Sequence, residues 1–214
     1  MQRFVEERVS ALQRLYRANS SAGVAALARL RRGVGKQPTD DLELFGLAVP
    51  EDDTTTARLH DPQWLLPDDE TTEEERAAFA AITLYAVHQQ SRRETSLHRE
   101  GYSFGRSARL LGKHSNASNA VRARFAAVGT ATTWDETLYH ARGLIQQFRQ
   151  HSIPLDYGRF ARDLFDLQHP SRADRVRLRW GRDFYRVRRV DDDGDDANQP
   201  NDGNARIPAS DYED

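Results

Sequence analysis

The sequence predicts an all-α protein, a helical bundle of about eight to nine helices in two packed lobes, followed by a disordered acidic C-terminal tail. Three observations carry this expectation. Apolar residues recur three and four apart along nearly the whole chain up to Tyr185. No segment keeps the period of two that a half-buried strand needs. Capping residues stand where the periodic segments begin, and glycines or a proline stand where they end. With 214 residues, 38% of them hydrophobic, the chain is long enough for one good core. The expected organisation is a helical domain over 1–190, with an N-terminal lobe of about 1–100 and a C-terminal bundle of about 101–190, and then the tail 191–214.

The first helix spans Phe4 to Arg17, where Val5, Val9, Leu12 and Tyr16 share one face. Ser20 or Ser21 caps a second, which ends at Gly33 and Gly35 with Arg29, Arg31 and Arg32 in its last turn. Those cations have two readings that the residues leave open: with Lys36 they form a phosphate patch on a glycine-flanked turn, or they complement the helix macrodipole. Leu42, Leu44, Phe45 and Leu47 mark a short helix, and Glu51 to Glu70 reads as a surface loop pinned by Trp64. Thr71 or Thr72, with Glu74 or Glu75 three residues on, makes a capping box for a long central helix carrying Phe79, Ile82 and Tyr85. Its polar end from His88 to Arg99 runs to a break at Gly101.

Ser103 to Leu111 predicts a short helix stopped by Gly112, with Arg106, Arg109 and Lys113 on one face, an arrangement suited to a nucleic-acid backbone. Ala117 to Val128 repeats the device: Val121, Phe125 and Val128 are apolar, Arg122 and Arg124 face elsewhere, and Gly129 ends it. Thr133 and Glu136 cap a helix with Leu138, Leu144, Ile145 and Phe148 on its core face and Arg142 outside it. Asp156 opens the next, with Phe160, Leu164 and Leu167 on one side, and His169-Pro170 stops it. Ser171 and Asp174 cap the last helix. There Val176, Trp180 and Phe184 form a stripe that Leu178 and Tyr185 widen, surrounded by Arg172, Arg175, Arg177, Arg179, Arg182 and Arg186.

A net charge of −2 conceals strong segregation. From Asp191 to Asp214 nine acids face Arg206 alone, a net of −8; from Asp40 to Glu75 thirteen face Arg58 alone, a net of −12; the remainder carries +18. A basic body with acidic segments points to a polyanionic partner, because clustered Lys and Arg gain from releasing condensed counterions. The chain has no cysteine, which excludes disulfides, thiol nucleophiles and thiolate metal sites and agrees with a cytoplasmic location. No apolar run approaches the roughly 20 residues of a membrane span, so no membrane partner is expected. There is no phosphate-cradling glycine loop, no metal-ligand triplet at helical spacing and no Ser, His, Asp order with the right turns; His60-Asp61 is an isolated doublet. The expectation is a non-enzyme with no catalytic residue, metal, cofactor or small-molecule substrate. Two binding classes follow: a nucleic-acid-backbone binder, or a helical protein-interaction scaffold.

The order of segments then carries a resemblance. ALARLRRGVGK, YSFGRSARLLG, VRARFAAV, YHARGLIQQFR, IPLDYGRFARDLFDLQ and RVRLRWGRDFYR follow one another as in the CasB small-subunit family of Cascade, the type I-E CRISPR surveillance complex, in its actinobacterial form. The resemblance covers nearly all of residues 1–190, and IPLDYGRFARDL and the terminal arginine-tryptophan helix are its most specific parts. It implies an all-helical, non-catalytic subunit in antiviral defence. Such subunits sit as a pair, each beside a second copy of itself, along the other Cascade subunits and the crRNA. Their basic surfaces help hold target DNA and the displaced strand of the R-loop. Family basic positions fall on Arg31, Arg32, Arg106, Arg109, Arg122, Arg124 and Arg142. The acidic block 40–75 is longer and more charged than the resemblance leads one to expect.

The tail 191–214 has too little apolar content to offset the entropy of ordering it. Its amides are expected to exchange with solvent at unprotected rates; protection across 191–214 in hydrogen exchange would contradict this.

Overall fold

A computed structural model describes residues 1–48, 71–115 and 117–185. Among them lie nine α-helices and no strand: α1 Gln2–Arg17, α2 Ser21–Arg32, α3 Leu42–Ala48, α4 Glu73–His88, α5 Phe104–His114, α6 Ser118–Thr130, α7 Trp134–Gln150, α8 Tyr157–Leu167 and α9 Pro170–Tyr185, with a 3-10 turn at Pro38–Asp40. The expected all-α bundle is therefore observed. Most of the acidic loop, including His60, Asp61 and Trp64, and the tail with Arg186 lie outside the described residues.

α4 is the axis of the bundle. Its entry is fixed by the capping box foreseen in the sequence: Glu75 N donates to Thr72 Oγ1 at 3.1 Å and Thr72 N to Glu75 Oε2 at 2.8 Å. Every residue from Ala77 to His88 is buried, as befits a helix that is apolar on all sides. α1, α2 and α3 pack on it from one side and α7 and α8 from the other. Residues on both sides of position 100 consequently contribute to one hydrophobic cluster, from Val5 and Leu27 through Phe79 to Phe160 and Trp180. Thr133, Ser103 and Asp156 cap α7, α5 and α8 by accepting from the backbone of Glu136, Arg106 and Arg159. Two close approaches need glycine. A Cβ on Gly23 would lie 2.7 Å from Leu15 Cβ of α1, and one on Gly105 would fall on the Trp180 carbonyl oxygen, where α5 crosses α9.

Several boundaries differ from the sequence expectation. α5 and α6 run through Gly112 and Gly129, because neither glycine adopts the positive φ that terminates a helix; Gly35 and Gly101 do, at +83° and +79°. α9 begins with Pro170 as its first residue, a position whose N–H has no helical partner anyway, so Ser171 lies inside the helix instead of capping it. Leu178 and Tyr185 do not widen the buried stripe: they are 54% and 60% exposed. Leu138 and Phe184 are half-buried at the edge of the core.

The largest departure follows His88. The expected polar end of α4 is not helical; residues 89–103 form an irregular segment drawn into the interior. Gln89 is its hub, with Nε2 donating to the carbonyls of Arg92 and Thr95 and Oε1 accepting from Leu97 N at 3.2 Å. Leu97 to Tyr102 then runs against Ile153 to Tyr157. Leu155 N donates to Leu97 O at 3.0 Å, Asp156 N to Tyr102 O at 2.8 Å and Arg99 N to Leu155 O at 3.3 Å. Gly101 N donates to Asp156 Oδ2 at 3.0 Å. Fully buried Tyr157 packs edge-on against Tyr85, and its hydroxyl lies 3.0 Å from His88 Nδ1.

Burial lowers the His88 pKa from 6.5 to about 3 and lowers that of His98 as well. Both imidazoles stay neutral in the fold and become charged in the unfolded chain, so stability is complete above about pH 6.5 and falls as pH drops towards 3. Each pH unit in that window costs up to about 1.4 kcal/mol per histidine. Urea midpoints between pH 7 and 4 are expected to fall, and to fall less steeply in H88Q; an unchanged slope in H88Q would contradict the assignment. Independently, G105A is expected to lose about 1–3 kcal/mol through the forced separation of α5 and α9, measurable by the same titration at pH 7.

Candidate nucleic-acid interface

The densest run of arginines in the sequence, that of α9, is largely spent inside the protein. Arg179 Nη2 donates to buried Asp163 at 2.6 Å, and Trp180 Nε1 donates to the same carboxylate at 2.6 Å. Burial pushes the Asp163 carboxyl up, while Arg179 and Trp180 pull it back. Arg172 pairs with Asp166 at 3.2 Å, and Arg177 donates to Asp174 at 3.1 Å and to the Ala131 carbonyl at 3.2 Å. Buried carboxylates of α8 need such partners, and α9 supplies them. Arg149 is likewise turned inward, donating to Gln90 at 2.8 Å.

A different set of cations faces outward along α7. A cavity of about 230 Å³ opens between the Val34–Pro38 turn, α4 and the start of α7; its floor holds Phe79, Leu84 and Leu138, and its cations are Lys36, Arg76 and Arg142. It adjoins a second depression that shares Tyr139 and Arg142 with it and adds Arg124, His140, Gly143 and Gln146. A third continues past Arg124 and Gly143 to Gln147, Gln150 and His151. Four separated stretches of sequence thus place Lys36, Arg76, Arg124 and Arg142 on one strip. Arg124 reaches Gln147, whose amide oxygen accepts from it at 3.1 and 3.3 Å once the amide is oriented to present oxygen. Acids flank the strip without interrupting its cations: Asp135 lines the first cavity, Asp41 lies 3.8 Å from Lys36, and Glu136 lies 3.9 Å from His140. Glu136 also accepts from Thr132 N, which holds its pKa down.

The remaining sequence-derived candidates lie elsewhere. Arg29 and Arg32 are exposed and Arg31 is half-buried in the last turn of α2, ahead of the turn that brings Lys36 to the strip. On α5, Lys113 is exposed and Arg109 half-buried. Arg106 lies 4.2 Å from the Tyr102 ring centroid, opposite Arg99 at 4.9 Å, so two guanidiniums stack on one ring. Exposed Arg122 sits on α6 with its guanidinium 6.0 Å from the Tyr185 ring. The strip also holds residues that the sequence reading passed over: Arg76, Tyr139, His140, Gln146, Gln147, Gln150 and His151. For Tyr139 a signal existed, since it is out of phase with the buried Thr137, Ala141, Leu144 and Phe148 of its own helix. Arg76 was masked by the glutamates beside it.

A family model described as CRISPR-associated protein Cse2 matches residues 26–185, spanning α2 to α9. The chain belongs to the Cse2 family. It is 38% identical to CasB from Thermobifida fusca, over 86% of this chain and 96% of that one, with a TM-score of 0.70 between the structures. CasB from Thermus thermophilus (24% identity, 86% and 98% covered, TM-score 0.52) and CasB from M. ruber (23%, 84% and 93%, TM-score 0.59) have the same fold. No curated protein matches the chain. Cse2 membership makes the protein a CRISPR-associated Cascade subunit, in agreement with the resemblance of its segments. Among the described residues no group of acidic and histidine side chains is arranged to hold a metal, and no helix is long and apolar enough to cross a membrane.

Proposed function

We propose that this Cse2 chain is a non-catalytic small subunit that holds nucleic-acid backbone on the strip along α7, stabilising target DNA and the displaced strand of the R-loop beside the crRNA and a second copy of itself. The observation that carries the reading is the convergence of Lys36, Arg76, Arg124 and Arg142 from four separate segments onto adjoining depressions. Cations recruited from distant parts of a chain onto one face are costly to assemble by like-charge repulsion, and a polyanion repays that cost. Sequence is read in such a complex by pairing with the guide, so the subunit needs phosphate contacts without base preference. Arg29, Arg31, Arg32, Arg106, Arg109, Lys113 and Arg122 extend the basic surface beyond the strip.

Replacing Arg124 and Arg142 together by alanine is expected to weaken DNA retention by a similar factor on unrelated target sequences. The slope of log affinity against log salt should fall by close to two units, about 0.7–0.9 per phosphate contact. The companion pair R31A/R32A is expected to act in the same direction. Melting temperature should change little, because exposed charges contribute within about 0.5 kcal/mol. A second check uses Gly143, where an added Cβ meets nothing within 4 Å: G143E places an acid on the strip, leaves the fold intact and should also weaken DNA binding. Unchanged affinity and salt slope in R124A/R142A, with normal melting, would assign the strip to a protein partner instead.

A further inference from the structure

We infer that the strip is a single-strand site in which Tyr139 provides a stacking platform for an unpaired base, an inference that rests on the backbone-binding reading above. Tyr139 is 73% exposed, while the other aromatic residues of α7, Trp134 and Phe148, are half-buried and buried. Leu15, Leu178 and Tyr185 are the other large apolar side chains left in solvent among the described residues, and none of them lines the strip. Tyr139 stands where the first two depressions meet, one turn before Arg142 and Gly143. Its ring has the His140 ring beside it at 5.3 Å, nearly perpendicular, so its own face is not covered by that neighbour.

The surroundings fit a base better than they fit a duplex. A phosphate backbone needs only the cations. The strip adds an aromatic face, a glycine one turn further on whose missing side chain leaves open space, and the amides of Gln146, Gln147 and Gln150, which donate and accept without charge. A double helix keeps its base faces and most of its base edges inside, and has no use for these groups. A single strand offers both, and aromatic stacking is tolerant of sequence because every base has a π-face. Arginines spaced around an exposed tyrosine, with uncharged amides between them, therefore select strand state and leave sequence unread.

The test uses the full chain with a fluorescent oligothymidine and a hairpin duplex of matching length, measured by anisotropy at several salt concentrations. Y139A is expected to weaken single-strand binding about tenfold and duplex binding less than twofold, with an unaltered salt slope, since no ionic contact is removed. Y139F should bind like the parent chain, and 2-aminopurine placed in the oligonucleotide should be quenched by the parent and Y139F but not by Y139A. Equal single-strand affinity in Y139A and the parent, while R124A/R142A binds weakly, would overturn the stacking inference and leave the backbone reading standing. Equal losses on single strand and duplex in Y139A would overturn it too. If R124A/R142A also binds both probes normally, the backbone reading fails together with it and the strip is a protein-docking surface. Circular dichroism of each variant checks the fold, which a side chain this exposed does little to support.

Discussion

The pairing of Leu97–Tyr102 with Ile153–Tyr157 is the contact on which the rest of the bundle depends. These are two irregular segments inside a helical protein, and their backbone groups have no helical partners. Buried N–H and C=O groups left unpaired cost about 1–3 kcal/mol each, so irregular chain can enter a core only where another irregular chain satisfies it. Here Leu97, Arg99 and Tyr102 exchange hydrogen bonds with Leu155 and Asp156, and Asp156 both caps α8 and receives the Gly101 amide. The exit of α4, the entry to α5 and the start of α8 are thereby fixed together. Tyr157, wedged among Tyr85, His88 and Phe160, ties that junction to the central helix.

The same dependence explains how the arginines divide. A charge turned into the protein must be paired, and the buried carboxylates Asp163 and Asp166 on α8 take Arg179, Arg172 and Arg162 as partners. α9 is held against α8 and α5 partly by these bonds, with Trp180 serving as both core aromatic and donor. The helix with the most cations thus contributes to holding the fold, while helices with one or two outward arginines supply the basic strip. Density of charge in a sequence measures neither exposure nor availability; the carboxylates on the facing helix decide.

Local signals served well wherever the physics was local. The capping box at Thr72 and Glu75, the caps at Thr133 and Asp156, and the apolar stripes of α1, α4 and α8 involve residues within one or two turns of each other, and the sequence displays all of them. It misled where a residue's role depends on the other side of the core. Gly112 and Gly129 resemble helix stops but hold helical backbone. The segment after His88 resembles a polar helix end, yet it is pulled inward by a partner more than fifty residues away.

The chain by itself therefore determined an all-helical protein, the position of most helix starts, the family whose segment order it follows, and Arg124, Arg142 and Lys36 as candidate cations. Only the tertiary structure decided that these three share one strip with Arg76 and Tyr139, that Arg106 stacks on Tyr102, and that the α9 arginines pair internally. The physical reason is range. Helix propensity, capping and amphipathic phase act over three or four residues and can be read along a sequence. Desolvation and charge pairing depend on which helices are packed together, and that is set by the whole core at once.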